Sequence, residues 1–315
     1  MKKKIVVVGS LNLDLVANVE RMPAEGETML GQAFATYPGG KGANQAVAAA
    51  KLGGEVMMVG RLGNDLFAEE LRRELANVGV NARCVENVEC ASGSAVILVT
   101  PQGANSIVVI PGANATLRPE DLDDYTDVFR DAGVILSQLE IPLDTVERLG
   151  QIAAELNVPF VLDPAPVQAL SAATLRCVTW LTPNETETQL LLQQLGYSVD
   201  DSLSEDAVHA AADRLLATGA RNVILKLGGR GIYLAGADVA GEFVSPFVVK
   251  AVDTTAAGDA FNGGFAYGLT RGMAPVEAAK FACAVAAVSV TRVGAQPSMP
   301  TLQEAETLLG VPVAS

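Results

Sequence analysis

Residues 253–264 read DTTAAGDAFNGG, a turn of small residues that leads into a helical stretch at 260–269. The first N–H groups of a helix have no partner inside it and the helix dipole is positive there, so such a junction stabilises an anion. Ala256, Ala257 and Gly258 therefore form a candidate phosphate cradle. Asp259 stands at its mouth, where a carboxylate can take the proton of a hydroxyl that attacks phosphorus. A plain helix cap fits the same aspartate, and spacing alone does not separate the two readings.

A second cluster, PGGKGANQA at 38–46, opens another helix. Gly39 and Gly40 let the backbone approach a ligand, and Lys41 and Asn44 add polar contacts. A tight turn accounts for the same letters. The cluster lacks the spacing of a Walker loop, and GSLNLD at 9–14 lacks the GxGxxG of a dinucleotide-binding turn. TPNETE at 182–187 follows an apolar run and starts a helix, which puts Asn184, Glu185 and Glu187 at one strand end. Such oxygens suit Mg²⁺ through its waters, and an N-cap at Asn184 with Glu187 three residues on fits equally. LKLGGRG at 225–231 follows the next strand and is placed to pass beneath a nucleotide, with a hairpin turn as the alternative.

Other polar residues carry less. His209 is the one histidine; it lies in an acidic amphipathic stretch at 205–216 and reads as a surface residue. A single imidazole supports neither a hydrolytic triad nor a zinc site. Trp180 adjoins an apolar strand and reads as core. Cys84, Cys90, Cys177 and Cys283 are scattered without a CxxC pair, as expected of reduced, mostly buried residues in a cytosolic protein.

The elements that must position these groups are visible as apolar periodicity. Strand-like runs at 5–8, 55–59, 134–136, 159–162, 179–181 and 223–226 alternate with helix-period stretches at 67–78, 143–156 and 206–218. That alternation predicts an α/β fold with a mostly parallel sheet covered on both sides. Ala-rich segments at 43–52 and 275–291 predict helices packed closely on it. Two regions, about 12–38 and 94–112, instead show short extended segments broken by Gly, Pro and Asn, which predicts strands outside the main sheet. No linker, repeat or charge block divides the chain, so 1–315 is expected to be one domain with a small β appendage.

The 315 residues are 50% hydrophobic and 18% charged, and the net charge is −14. That field repels nucleic acid and anionic membranes, so any phosphate donor requires a local positive site. The apolar runs at 5–8 and 282–290 are too short for a signal-peptide core or a membrane span. The expectation is a cytoplasmic protein.

Taken together, the motifs resemble the ribokinase-like (PfkB) family of carbohydrate kinases, from residue 6 to about residue 300. One family signature is similar to GGKGANQAV at 39–47 and the other to VDTTAAGDAFNG at 252–263. The resemblance implies a three-layer α/β/α domain with a small β-sheet lid over the sugar, and ATP-dependent phosphorylation with Mg²⁺. GSLNLD at 9–14 and TRVGAQPS at 291–298 are similar to the members that act on ribose, which implies D-ribose as acceptor through its 5-hydroxyl. In those members the counterparts of Asn12 and Asp14 grip the 2- and 3-hydroxyls, and members that act on deoxyribose tend to lose the asparagine. The other sugar contacts implied are Gly39, Gly40, Lys41, Asn44 and Glu140, with Asp259 as the base.

The nucleotide is implied at Asn184, Lys226, Leu227, Gly228, Gly229, Arg230, Gly231, Gly258 and Cys283. Lys226 and Cys283 stand where members of this group often carry threonine and histidine or asparagine. Potassium is implied at loops holding Asp253, Thr255, Ser289, Arg292, Gly294 and Ser298, partly through carbonyls, and Mg²⁺ at Glu187 through water. A homodimer through the lid is expected. The alternatives are another acceptor, such as deoxyribose, another sugar or a nucleoside, or a silent sugar-binding protein, which should have lost the base or the cradle.

Overall fold

The computed structural model of the protein describes residues 4–198 and 203–310, so the ends of the predicted 1–315 unit lie outside it. The first half holds β1 (Lys4–Val8), β2 (Asn12–Asn18), β3 (Ala33–Gly39), α1 (Lys41–Lys51), β4 (Val56–Leu62), α2 (Leu66–Asn77), β5 (Asn81–Asn87), β6 (Gly93–Val99), β7 (Asn105–Ile110) and α3 (Thr126–Arg130). There follow β8 (Ala132–Ser137), α4 (Leu143–Glu155), β9 (Phe160–Leu162), α5 (Ala172–Cys177), β10 (Trp180–Leu181), α6 (Glu185–Gln194) and α7 (Glu205–Ala217). The last are β11 (Asn222–Lys226), β12 (Ile232–Gly236), β13 (Val239–Val244), α8 (Ala257–Thr270), α9 (Pro275–Ser289) and α10 (Leu302–Leu309). Each predicted strand and helix is present, with ends displaced by at most three residues, as fraying termini allow.

Nine strands form the central sheet in the order β13-β12-β11-β10-β9-β8-β1-β4-β5, parallel from β5 to β11 and antiparallel over β12 and β13. In β1, Ile5 and Val7 join one core cluster while Val6 and Val8 join the other, so the strand buries both faces. Helices α1, α2, α8 and α9 cover the first face, and α4, α6 and α7 the second. The strand order reverses between β1 and β8, and ligands of open α/β sheets bind beyond the strand ends at such a point. Strands β3, β2, β6 and β7 form a separate four-stranded sheet from the two regions that broke the alternation. The sequence reading did not place the edge strands β5 and β13, nor β12 beside β13.

Close helix packing at one point sets the site. Gly263 of α8 lies against α1, where a Cβ would come within 2.6 Å of the Ala48 Cβ and 2.8 Å of the Gln45 carbonyl. The glycine therefore lets the two backbones approach, and one turn earlier on α8 Asp259 reaches α1 side chains. No helix among the described residues is long and apolar enough to cross a membrane.

Candidate active site

Helix α8 begins at Ala257, three residues earlier than the sequence indicates, and its N-cap is Ala256 in the left-handed region at φ 58° without a side-chain cap. Asp259 therefore lies inside the first turn and does not cap the helix. Its side chain turns into the protein, 4% exposed. Asn44 Nδ2 donates to its Oδ2 at 2.9 Å and Gln45 Nε2 to its Oδ1 at 3.1 Å. Burial pushes its pKa up to about 6; Lys41 pulls it down and Asp163 pushes it up.

Gln45 links this carboxylate to a second one. Its Nε2 also donates to Asp163 Oδ2 at 3.0 Å, and its Oε1 accepts from Gln138 Nε2 at 2.7 Å. Because the carbonyl end is taken by Gln138, the NH₂ end must face both aspartates. Lys226 Nζ donates to the other oxygen of Asp163 at 3.0 Å, and both residues are buried. A hydrogen-bonded chain thus runs from Lys226 through Asp163 and Gln45 to Asp259.

The predicted sugar residues gather at the ends of β1 and β8. Glu140 Oε2 accepts from Ser10 Oγ at 2.6 Å, the Lys41 N–H at 3.1 Å and Asn12 Nδ2 at 3.4 Å. Asp14 lies against Gly39, where a Cβ would come within 2.4 Å of its Oδ2, so only glycine leaves room for that carboxylate. Burial, then Glu140 and Asp259, push Asp14 up to about 7. At Lys41 burial opposes the charge, but Asp259, Asp163, Glu140 and Glu187 outweigh it and hold the ammonium above its usual range. Gly40 sits at φ 85°, where a Cβ would come within 2.7 Å of the Asn12 backbone nitrogen. A cavity of about 420 Å³ opens between these strand ends and the second sheet, lined by Asn12, Glu140, Val109, Asn114, Pro166 and Gln168 among others. Asp14, Lys41 and Asp259 are not in that lining.

A second cavity, of about 430 Å³, lies on the other side of the α8 N-terminus. Of the residues predicted for the nucleotide, Asn184, Lys226, Gly228, Gly229, Gly231, Gly258 and Cys283 line it. Leu227 and Arg230 do not: Leu227 belongs to the core, and the Arg230 guanidinium turns outward to Glu185 and the Leu203 carbonyl. Burial pushes the Cys283 thiol up to about 12, which leaves it an inert apolar wall. In the cradle the Ala257 N–H turns back to the Thr254 carbonyl at 3.2 Å, while the Gly258 N–H makes no hydrogen bond among the described residues. A Cβ on Gly258 would lie 3.2 Å from Lys226 Nζ, so the ammonium stands beside the cradle.

Asn184 caps α6 in a full capping box, with its side chain accepting from the Glu187 N–H and Glu187 bonding back. Burial and Asp163 raise the Glu187 pKa, against Lys226. Of the residues predicted around potassium, Asp253, Thr255 and Gly294 are tied together by hydrogen bonds. Asp253 accepts from the Thr255 N–H at 2.9 Å and the Gly294 N–H at 2.8 Å, which ties the two loops together. Ser289 and Ser298 donate to carbonyls of their own turns. The Arg292 side chain pairs with Glu304 and faces away, so only its carbonyl is available to a cation. Among the described residues no group of three His, Cys, Asp or Glu side chains converges as a metal site.

Trp180 is core, edge-on to Phe265, and His209 is exposed against Tyr233 and Phe243. Of the cysteines, Cys84 and Cys283 are buried, Cys177 is half-buried and Cys90 is exposed. Sequence reading missed Ser10, Gln45, Asn114, Gln138 and Asp163. Asp163 carried a signal, since it directly follows the apolar run of β9 at the ligand-binding end of the sheet. The others become polar contacts only through distant partners.

Comparison with known proteins matches residues 2–302 to the pfkB family carbohydrate kinases. A ribokinase from Haemophilus influenzae is 39% identical over 305 residues, covering 96% of this chain and 97% of that one. A deoxyribokinase from Salmonella typhimurium is also 39% identical, over 302 residues, covering 95% and 96%. The solved structure of Arabidopsis thaliana ribokinase complexed with ribose and ATP superposes with a TM-score of 0.92 at 34% identity, over 99% of this chain and 100% of that one.

Proposed function

The chain belongs to the pfkB family of carbohydrate kinases and transfers phosphate to a sugar hydroxyl; from that premise we propose that it phosphorylates the 5-hydroxyl of D-ribose from ATP, with Asp259 as base. One observation carries this reading. The buried Asp259 carboxylate follows directly on the free Gly258 N–H of the cradle, so proton acceptor and anion site are contiguous. Asn44 and Gln45 hold the carboxylate and Lys41 keeps a positive charge near it, so it is ionised above about pH 6. In-line transfer then proceeds from the Lys226-lined cavity to a sugar at Asn12, Asp14, Lys41 and Glu140. Developing charge on the phosphoryl oxygens is met by the Gly258 N–H, the α8 N-terminus and Lys226.

The donor set fits a Mg²⁺ ion that arrives with the nucleotide, because the acidic pair Asp163 and Glu187 lies close while the described residues hold no all-protein cage. Glu187 would hold it through water. When bound, the ion neutralises charge on the donor phosphates. The loops tied together by Asp253 and the Gly294 N–H would hold a potassium ion, which would fix the turn ahead of the cradle. The second sheet acts as a lid that excludes water from the sugar and as the contact with a second copy of the chain. The relatives known for both ribose and deoxyribose keep deoxyribose as the second reading.

The test is Asp259→Asn. Turnover falls by roughly 10²–10⁴-fold, the usual worth of a general base, while ribose and ATP binding measured by calorimetry stay near wild type. Turnover that survives the substitution removes Asp259 from the role of base.

A further inference from the structure

Asn114 lies in the 3-10 turn after β7, outside every predicted motif, and is 1% exposed. The backbone fixes which way its amide faces. The Leu11 N–H can only donate, and it donates to Asn114 Oδ1 at 2.9 Å. The Leu11 carbonyl can only accept, and it accepts from Asn114 Nδ2 at 3.1 Å. The same Nδ2 donates to Asn12 Oδ1 at 2.7 Å. The Asn12 carbonyl is therefore occupied, and its NH₂ end faces the other way, 3.4 Å from Glu140 Oε2. One backbone residue thus sets the direction of two amides whose ends are otherwise interchangeable.

Gly93 independently marks the same contact. It pairs with Asn12 across β2 and β6, and a Cβ there would lie 2.1 Å from Asn114 Nδ2 and 2.3 Å from Asn12 Oδ1. The amide pair fits only over a glycine.

We propose that Asn114, seated over Gly93, is a positioning residue that turns the N–H donor of Asn12 toward the sugar and so sets the preference for ribose over 2-deoxyribose. The inference rests on the proposed reading of Asn12 as a contact of the ring hydroxyls. A hydroxyl placed between Asn12 Nδ2 and Glu140 accepts from the amide and donates to the carboxylate at once. A 2-deoxy sugar leaves the buried Asn12 amide with only its long 3.4 Å contact to Glu140. With Asn12 reversed, its carbonyl would confront the Glu140 carboxylate and the hydroxyl would lose its donor. The related ribokinase and deoxyribokinase match this chain equally at 39% identity, so overall similarity does not decide the sugar and local geometry must.

The test measures kcat/KM for D-ribose and for 2-deoxy-D-ribose in the wild-type chain and in Asn114→Asp, Gly93→Ala and Asn12→Ala. Asn114→Asp keeps the size and the acceptor for the Leu11 N–H but offers no donor to Asn12, whose NH₂ end then turns inward. Its ribose-to-deoxyribose ratio falls about tenfold, the worth of one good hydrogen bond, mainly through KM for ribose. Gly93→Ala keeps every donor but fills the space of the amide pair, and lowers the ratio in the same direction; it decides the matter if Asn114→Asp does not fold. Equal losses for both sugars, with the ratio kept, mean a merely structural role and overturn the proposal. Asn12→Ala separates the two levels. A lower ratio there with unchanged ratios in the other two variants removes only the positioning role, whereas an unchanged ratio there overturns the reading of Asn12 and the inference with it.

Discussion

At the scale of single residues, the site is built around carboxylates that are held, not free. Asp259 combines burial, which favours its protonated form, with two amide donors that favour the ionised form. A base with a pKa of about 6 is ionised at neutral pH and lost as pH falls, so turnover declines on the acid side through about pH 6. Gln45→Met removes the donor to Asp259 Oδ1 and also the bridge that separates it from Asp163. The acid limb of the kcat profile then moves to higher pH by about one unit, since a hydrogen bond to a charged group is worth about 1.5–3 kcal/mol. A profile that drops at every pH without moving indicates that Gln45 only packs. Asp259 itself was legible in the sequence because it follows a small-residue turn. Gln45 stood in the same motif as Asn44, yet its bridging role depends on Asp163 and Gln138, residues 118 and 93 positions away.

Among the elements, the junction of α1 and α8 decides whether the site exists. Ala-rich α1 and the glycines of α8 are legible as close-packing helices, but the partner and the depth of approach are not. Gly263→Val adds a Cβ and two methyl groups where the Cβ alone would come within 2.6 Å of the Ala48 Cβ. Such overpacking costs about 1–3 kcal/mol, read as a lowered denaturation midpoint. It also separates Asn44 and Gln45 from Asp259, so kcat falls beyond what the lost stability accounts for. A variant that is less stable yet turns over at the wild-type rate shows that the helix approach does not set the base. The start of α8 was misplaced by three residues because Ala256, a non-glycine residue in the left-handed region, gives no sign of a cap in the sequence.

For the molecule as a whole, a chain of net charge −14 concentrates Lys41 and Lys226 where the donor and acceptor meet. The field elsewhere discourages nucleic acid, and on the proposed reading these two local cations are what would hold the phosphates. One face of the second sheet exposes Phe34, Val96, Val108 and Ile110, an apolar surface that water does not favour. If that surface is the contact between two copies, sedimentation velocity shows a dimer at micromolar concentration and Val108→Glu shifts it to the monomer. A wild-type chain that sediments as a monomer throughout removes the dimer from the reading.

The sequence by itself determined the alternating α/β architecture, because a strand covered on both faces must be apolar throughout and an amphipathic helix must repeat every 3.6 residues. It also marked the small-residue turn at a helix start and the aspartate beside it, because glycine and small residues there are a local requirement. Only the tertiary structure decided that Asp259 is buried, not a cap, that Leu227 and Arg230 stay out of the cavity lined by Lys226, and that Asn114 donates to Asn12. Those facts depend on side chains far apart in the chain meeting at the strand ends, and no local pattern encodes such a meeting.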